Sequence, residues 1–138
     1  MSFNNRMALK QVRKGIIEDI NRSPEVIITF RRPFVDNGFG QLVPDPTASQ
    51  VAQDSIKCRI SHERKNIDLN GPGPAGFSTN LERYILTDYK TQIFEADTFE
   101  AIGREFKIGV VDVLKQFGGV VGYQALLIDA NGGHSEYS

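Results

Sequence analysis

From Thr98 to Ala130 the chain reads TFEAIGREFKIGVVDVLKQFGGVVGYQALLIDA. Gly103 and the pair Gly118-Gly119 divide it into stretches dominated by valine, isoleucine, leucine and phenylalanine. Apolar stretches of this length between glycine turns are strands joined by hairpins. One strand signal runs from Thr98 to Val113 and folds back at Gly103; the next runs from Val120 to Ala130. The Gly118-Gly119-Val120-Val121-Gly122 string is not a dinucleotide fingerprint, because strand alternation resumes where a helix would have to begin.

Working backwards, Leu81 to Tyr89 gives another strand, and Ser55 to Ser61 alternates with Ile56, Cys58 and Ile60 inward and Lys57 and Arg59 outward. Cys58 then reads as a small core hydrophobe. Val26 to Arg32 alternates as well, with Val26, Ile28 and Phe30 on one face and Ile27, Thr29 and Arg31 on the other. Between these two, Pro33 to Gln53 carries Asp36-Asn37-Gly38, Gly40, Pro44 and Pro46, which predicts turn with a short hairpin at Asn37-Gly38. At the N-terminal end, Leu9, Val12, Ile16 and Ile20 recur at intervals of three and four within residues 5–21, the spacing of an amphipathic helix. Ser23-Pro24 ends it, since proline disfavours helical geometry at the residue before it. Gly15, inside the helix, is either a close contact or a weak spot of roughly 1 kcal/mol against alanine.

One helix followed by five or six short antiparallel strands is α+β, mainly β: a small antiparallel β-barrel or curled sheet with one N-terminal amphipathic helix packed on it. The length, 138 residues, suits a single domain over 1–138, with the helix at 5–21, the barrel at 26–130 and a polar, frayed tail at 131–138. Within the barrel, residues 62–80 hold few large apolar side chains and include Gly71-Pro72-Gly73-Pro74-Ala75-Gly76. A loop this long without a core of its own is expected to be mobile, functional or ordered by a partner.

The chemistry-bearing residues are few. The only histidines are His62 and His134 and the only cysteine is Cys58, so the sequence offers no zinc spacing, no intrachain disulfide and no readable catalytic triad. Residues 71–76 lack the Gly-Lys-Ser/Thr ending of a phosphate loop. Glu95 and Asp97 read as solvated charges of an acidic half rather than as an acid/base pair. No enzyme, cofactor or metal is therefore expected. The absence of a long apolar run excludes a membrane helix and a signal peptide, which predicts a cytosolic, soluble product.

Sixteen Lys and Arg against seventeen Asp and Glu leave a net charge of −1, so any nucleic-acid contact would be local. The best local candidate is Lys57, Arg59, His62, Arg64 and Lys65, with Phe77 as the nearest aromatic beyond the glycine loop. A solvated strand edge guarded by cations is the simpler reading of that cluster. Charge is also polarised along the chain, at +4 over residues 1–32 and −5 over 66–138. If the two ends lie on opposite faces they would suit head-to-tail contact between copies; the alternative is that both ends are simply solvated.

Three strings carry a resemblance. They are Asp36-Asn37-Gly38-Phe39-Gly40 after Ile28-Thr29-Phe30-Arg31-Arg32, then Asp97-Thr98-Phe99-Glu100 leading to Gly103-Arg104-Glu105-Phe106-Lys107-Ile108, and Phe117-Gly118-Gly119-Val120-Val121-Gly122-Tyr123-Gln124-Ala125-Leu126-Leu127. In this order the chain resembles the head-closure and head-tail connector proteins of long-tailed bacteriophages and of defective prophages. The resemblance implies a non-enzymatic virion protein, made in the bacterial cytoplasm, that forms a ring of its own copies beneath the portal or its adaptor. It would retain packaged double-stranded DNA through weak, non-specific contact and offer the tail proteins a docking surface. The segment implied to face the channel or a partner is 62–80, with His62, Arg64, Lys65, Gly71, Pro72, Gly73, Pro74, Gly76 and Phe77 as its contact residues. The alternative is a small-barrel nucleic-acid-binding module using Lys57, Arg59, Arg64 and Lys65.

Overall fold

The computed structural model describes residues 3–64 and 82–130. Lys65 and residues 66–81, which include the Gly71-to-Gly76 core and Phe77 of the expected loop, lie outside the described residues, as does the expected tail at 131–138. The chain opens with helix α1 (Phe3–Arg22) and continues as β1 (Glu25–Arg31), β2 (Phe34–Asp36), β3 (Leu42–Pro44), β4 (Val51–Ser61), β5 (Arg83–Asp88), β6 (Thr98–Ala101), β7 (Arg104–Gln116) and β8 (Gly119–Asp129). Six strands close into an antiparallel barrel in the order β1-β4-β5-β8-β7-β6, while β2 and β3 pair only with each other outside it. The expected α+β barrel is thus what forms, closed rather than merely curled.

Hairpin chemistry explains the long β6-β7-β8 meander. Ile102-Gly103 and Phe117-Gly118 are two-residue connections in which both residues have positive φ: 48° and 71° in the first, 53° and 78° in the second. That is the mirror-image turn whose twist matches the flanking strands, and it needs a residue without a side-chain penalty at its second position. Glycine supplies it twice. β7 runs three residues beyond the expected end at Val113 to reach the second turn, and it absorbs a register shift between Ile108 and Val111. β4 likewise begins at Val51 rather than Ser55, pairing with β1 from Arg31↔Val51 to Glu25↔Cys58 around a shift between Ile28 and Phe30.

Two apolar clusters lie on either side of the barrel wall. Inside, Ile27, Cys58, Ile85, Ile93, Phe99, Phe106, Ile108, Ala125 and Leu127 fill the lumen, with Ile56 and Ile60 partly buried against them. Phe99 and Phe106 pack ring to ring at 5.7 Å with a tilt of 39°, within the range favoured by aromatic quadrupoles. Outside, Leu9, Ile16 and Ile20 of α1 bury against Leu86, Leu114 and Val121. The helix therefore seals the outer wall at β4, β5 and β8. Gly15 faces open space, so it is a weak spot of the helix and not a packing contact.

Cys58 is fully buried among the lumen side chains, and burial, helped by the nearby Glu25 charge, pushes its thiol up to about 12. A thiol held protonated and out of reach is inert. Native protein is expected to label with a thiol reagent only slowly, and denatured protein at the rate of a free thiol. Fast native labelling would mean that Lys57 and Arg59 point inward instead.

Candidate interaction surfaces

The cationic cluster at 57–65 disperses once folded. Lys57 and Arg59 do point out of the barrel, but Arg59 lies beneath α1, where its guanidinium donates to the Asp19 carboxylate and, at 3.4 Å, to the Asp19 carbonyl. Asp19 is itself buried. The expected solvated edge is corrected at this residue, because a helix stripe containing Ile16 and Ile20 must close over that part of the wall. His62 contacts the Glu82 carbonyl through Nδ1 at 2.7 Å, and Arg64 stands 3.7 Å from Asp112 in an exposed pair. Among the described residues, Lys57 alone of this set makes neither an ion pair nor a side-chain hydrogen bond.

The opposite-face arrangement that head-to-tail contact by charge would need is not what forms among the described residues. The cationic N-terminal helix does not lie opposite the C-terminal strands; it sits on them, with Arg13 Nε donating to the Val120 carbonyl at 2.8 Å and its guanidinium 4.0 Å over the Tyr89 ring. Burial of the apolar helix stripe favours this seating, and the opposite net charges of the two parts do not oppose it.

Of the two acids expected to be solvated, Glu95 is exposed and Asp97 is not. It is 2% exposed, and both its oxygens accept from Arg31, at 2.9 Å from Nε and 2.8 Å from the terminal nitrogen. The guanidinium stacks 3.9 Å over Phe94, and the Asp97 hydrogen bond holds its pKa above the ordinary arginine value. This pair has a structural task. β1 and β6 share a single backbone-paired position, Phe30↔Thr98, and the side-chain clamp of Arg31 on Asp97 adds a second tie beside it across the barrel's closing seam. Each Asp97 oxygen is already bound to the guanidinium at the margin of the adjacent cleft of about 520 Å³. That cleft balances Arg31, Arg32 and Lys107 against Glu95, Asp97 and Glu105, so it has no dominant charge for an anionic or cationic substrate. Among the described residues no cluster of three or more His, Cys, Asp or Glu side chains could hold a metal ion, and no helix is long and apolar enough to cross a membrane.

What the surface does display is apolar. Val26, Ile28 and Phe30 of β1 face solvent, as do Phe34, Val35, Phe39 and Leu42 of the β2-β3 hairpin. On β7 and β8, Val110, Leu126 and Ile128 do the same. Alternation had divided the two faces of β1 correctly, and the outer one is the more apolar. Scattered exposed hydrophobics are ordinary, whereas contiguous sets on adjacent strands mark contact surfaces. No protein-family model matches this chain, and no curated protein matches it.

Proposed function

We infer that this chain is a structural connector: a ring-forming head-closure protein of a phage or phage-like particle, docking on the portal or its adaptor, retaining packaged DNA and receiving the tail. The observation that carries the reading is the outward display of large apolar side chains on a small closed barrel whose buried acids, Asp19 and Asp97, are each held by an arginine. Such a surface serves permanent protein contacts better than turnover. The resemblance of the three strings adds the setting. Dispersal of the cationic cluster weighs against the nucleic-acid module, because it leaves few unpaired cations to neutralise phosphates.

The test is particle composition. Particles made by the encoding phage or prophage should contain the chain at the head-tail junction, and its deletion should yield filled heads that leak DNA and fail to join tails. Normal tailed particles from the deletion would overturn the reading. In parallel, the purified protein should bind short duplex DNA only weakly at physiological salt; a sub-micromolar, steeply salt-dependent dissociation constant would favour the nucleic-acid module instead.

A further inference from the structure

The β2-β3 hairpin is built to present one side chain. Phe39, at its tip between Gly38 and Gly40, is 88% exposed. The turn beneath it is held by its own polar groups: the Gly38 and Gly40 amides donate to Asp36 Oδ1 at 2.9 and 3.2 Å, the Phe39 amide donates to Asn37 Oδ1 at 2.8 Å, and the Asn37 amide donates to the Gln41 carbonyl at 2.9 Å. An isolated two-stranded hairpin is marginal in water, and a turn this well bonded with an aromatic ring at its apex is preorganised for contact. Leu42 and Phe34 extend the apolar surface behind the tip.

A receiving surface lies elsewhere on the same chain. The outer face of β1 presents Val26, 70% exposed, with Ile28 and Phe30 in line, and Lys57 stands directly across from Val26 on β4. On its other side β1 meets β6 only at Phe30↔Thr98, so its edge from Val26 to Ile28 carries no ladder to that strand. The hairpin's two strands pair only with each other and thus bring free edges as well. Charge agrees with the fit, for residues 33–46 contain Asp36 and Asp45 and no cation, whereas Lys57 borders the receiving strip.

We propose that the β2-β3 hairpin of one copy docks on the outer face of β1 of a second copy, with Phe39 as its anchor and Val26, Ile28 and Lys57 as its seat. Knob and seat are different surfaces, so the contact is heterologous and propagates from copy to copy, closing into a ring if the rotation permits. The inference rests on the connector reading for its setting, and its geometry comes from these residues alone.

Complementation tests it. Wild-type protein should self-associate with rising concentration in sedimentation velocity runs. Phe39→Ser and Val26→Asp each alter an exposed side chain, so circular dichroism should be unchanged while self-association weakens by more than about tenfold, the loss expected of an anchor residue. Mixed together, the Val26→Asp copy still has a hairpin and the Phe39→Ser copy still has a seat, so the mixture should form a 1:1 heterodimer and grow no further. A wild-type chain that stays monomeric throughout, variants that associate as wild type does, or a mixture that remains monomeric would each overturn the proposal. These outcomes are independent of particle composition: a chain absent from particles that still passes complementation removes the connector reading and leaves this contact standing.

Discussion

Asp97→Ala is expected to lower the free energy of unfolding by about 3 kcal/mol, near the bottom of the range for breaking a buried ion pair. Two features set that value. Asp97 is almost wholly out of water, which favours a large effect, but the Arg31 side chain keeps 26% of its exposure and can recover some hydration once its partner is gone. The loss falls on the seam that the backbone closes with one pair, so opening should begin between β1 and β6. Hydrogen exchange should therefore show amides of β1 losing protection before those of the β7-β8 ladder. The double variant Arg31→Met/Asp97→Ala should recover most of the stability, because replacing both members of a buried pair by apolar groups is near neutral. Urea denaturation measures all three proteins. A single variant within about 0.5 kcal/mol of wild type, the range of ordinary surface substitutions, would show that the clamp does not hold the seam.

Gly122→Val is expected to cost about 2–3 kcal/mol through overpacking. A Cβ at this position would lie 2.8 Å from the Thr87 carbonyl oxygen and 3.3 Å from Ile16 Cδ1. The first neighbour is backbone of the adjoining strand and cannot swing aside, so β5 and β8 must shift apart locally, while Ile16 of the helix has to give way as well. Gly15→Ala is the matched control. Its Cβ meets nothing within 4 Å, and alanine there should stabilise the protein by up to about 1 kcal/mol through helix propensity. Thermal melts of the two variants should move in opposite directions. A neutral Gly122→Val would mean that both the Thr87 carbonyl and Ile16 stand farther from Gly122 than these distances indicate.

The legibility of this chain followed the range of its interactions. The helix stripe, the proline stop and the glycine turns at Gly103 and Gly118 are local signals, and each of them marks an element or boundary that forms. The inward placement of Cys58 was legible for the same reason, because alternation has a period of two whatever lies across the strand. Arg59 and Asp97 were not legible. Each takes its place from a partner far along the chain, Asp19 for one and Arg31 for the other, with sequence separations of 40 and 66. Alternation divides β1 into two faces but does not say which goes inward; the inner one carries Ile27, Thr29 and Arg31, and the Arg31 guanidinium is paired there with Asp97. The displayed hairpin was half legible, since Asp36-Asn37-Gly38 announces a turn but says nothing of Phe39 lacking cover.

The seating of α1 has a consequence for synthesis. Arg13 donates to a carbonyl 107 residues further on, and the helix's apolar stripe is covered largely by β5, the end of β7 and β8. A ribosome delivers α1 well before β8, so the helix waits with Leu9, Ile16 and Ile20 uncovered until the strands that cover them have been made. Contacts of such separation make folding slow and leave the nascent chain prone to association in the interval. The exposed stripe is thus a natural site for chaperone attention during synthesis until Leu86, Leu114 and Val121 are in place to cover it.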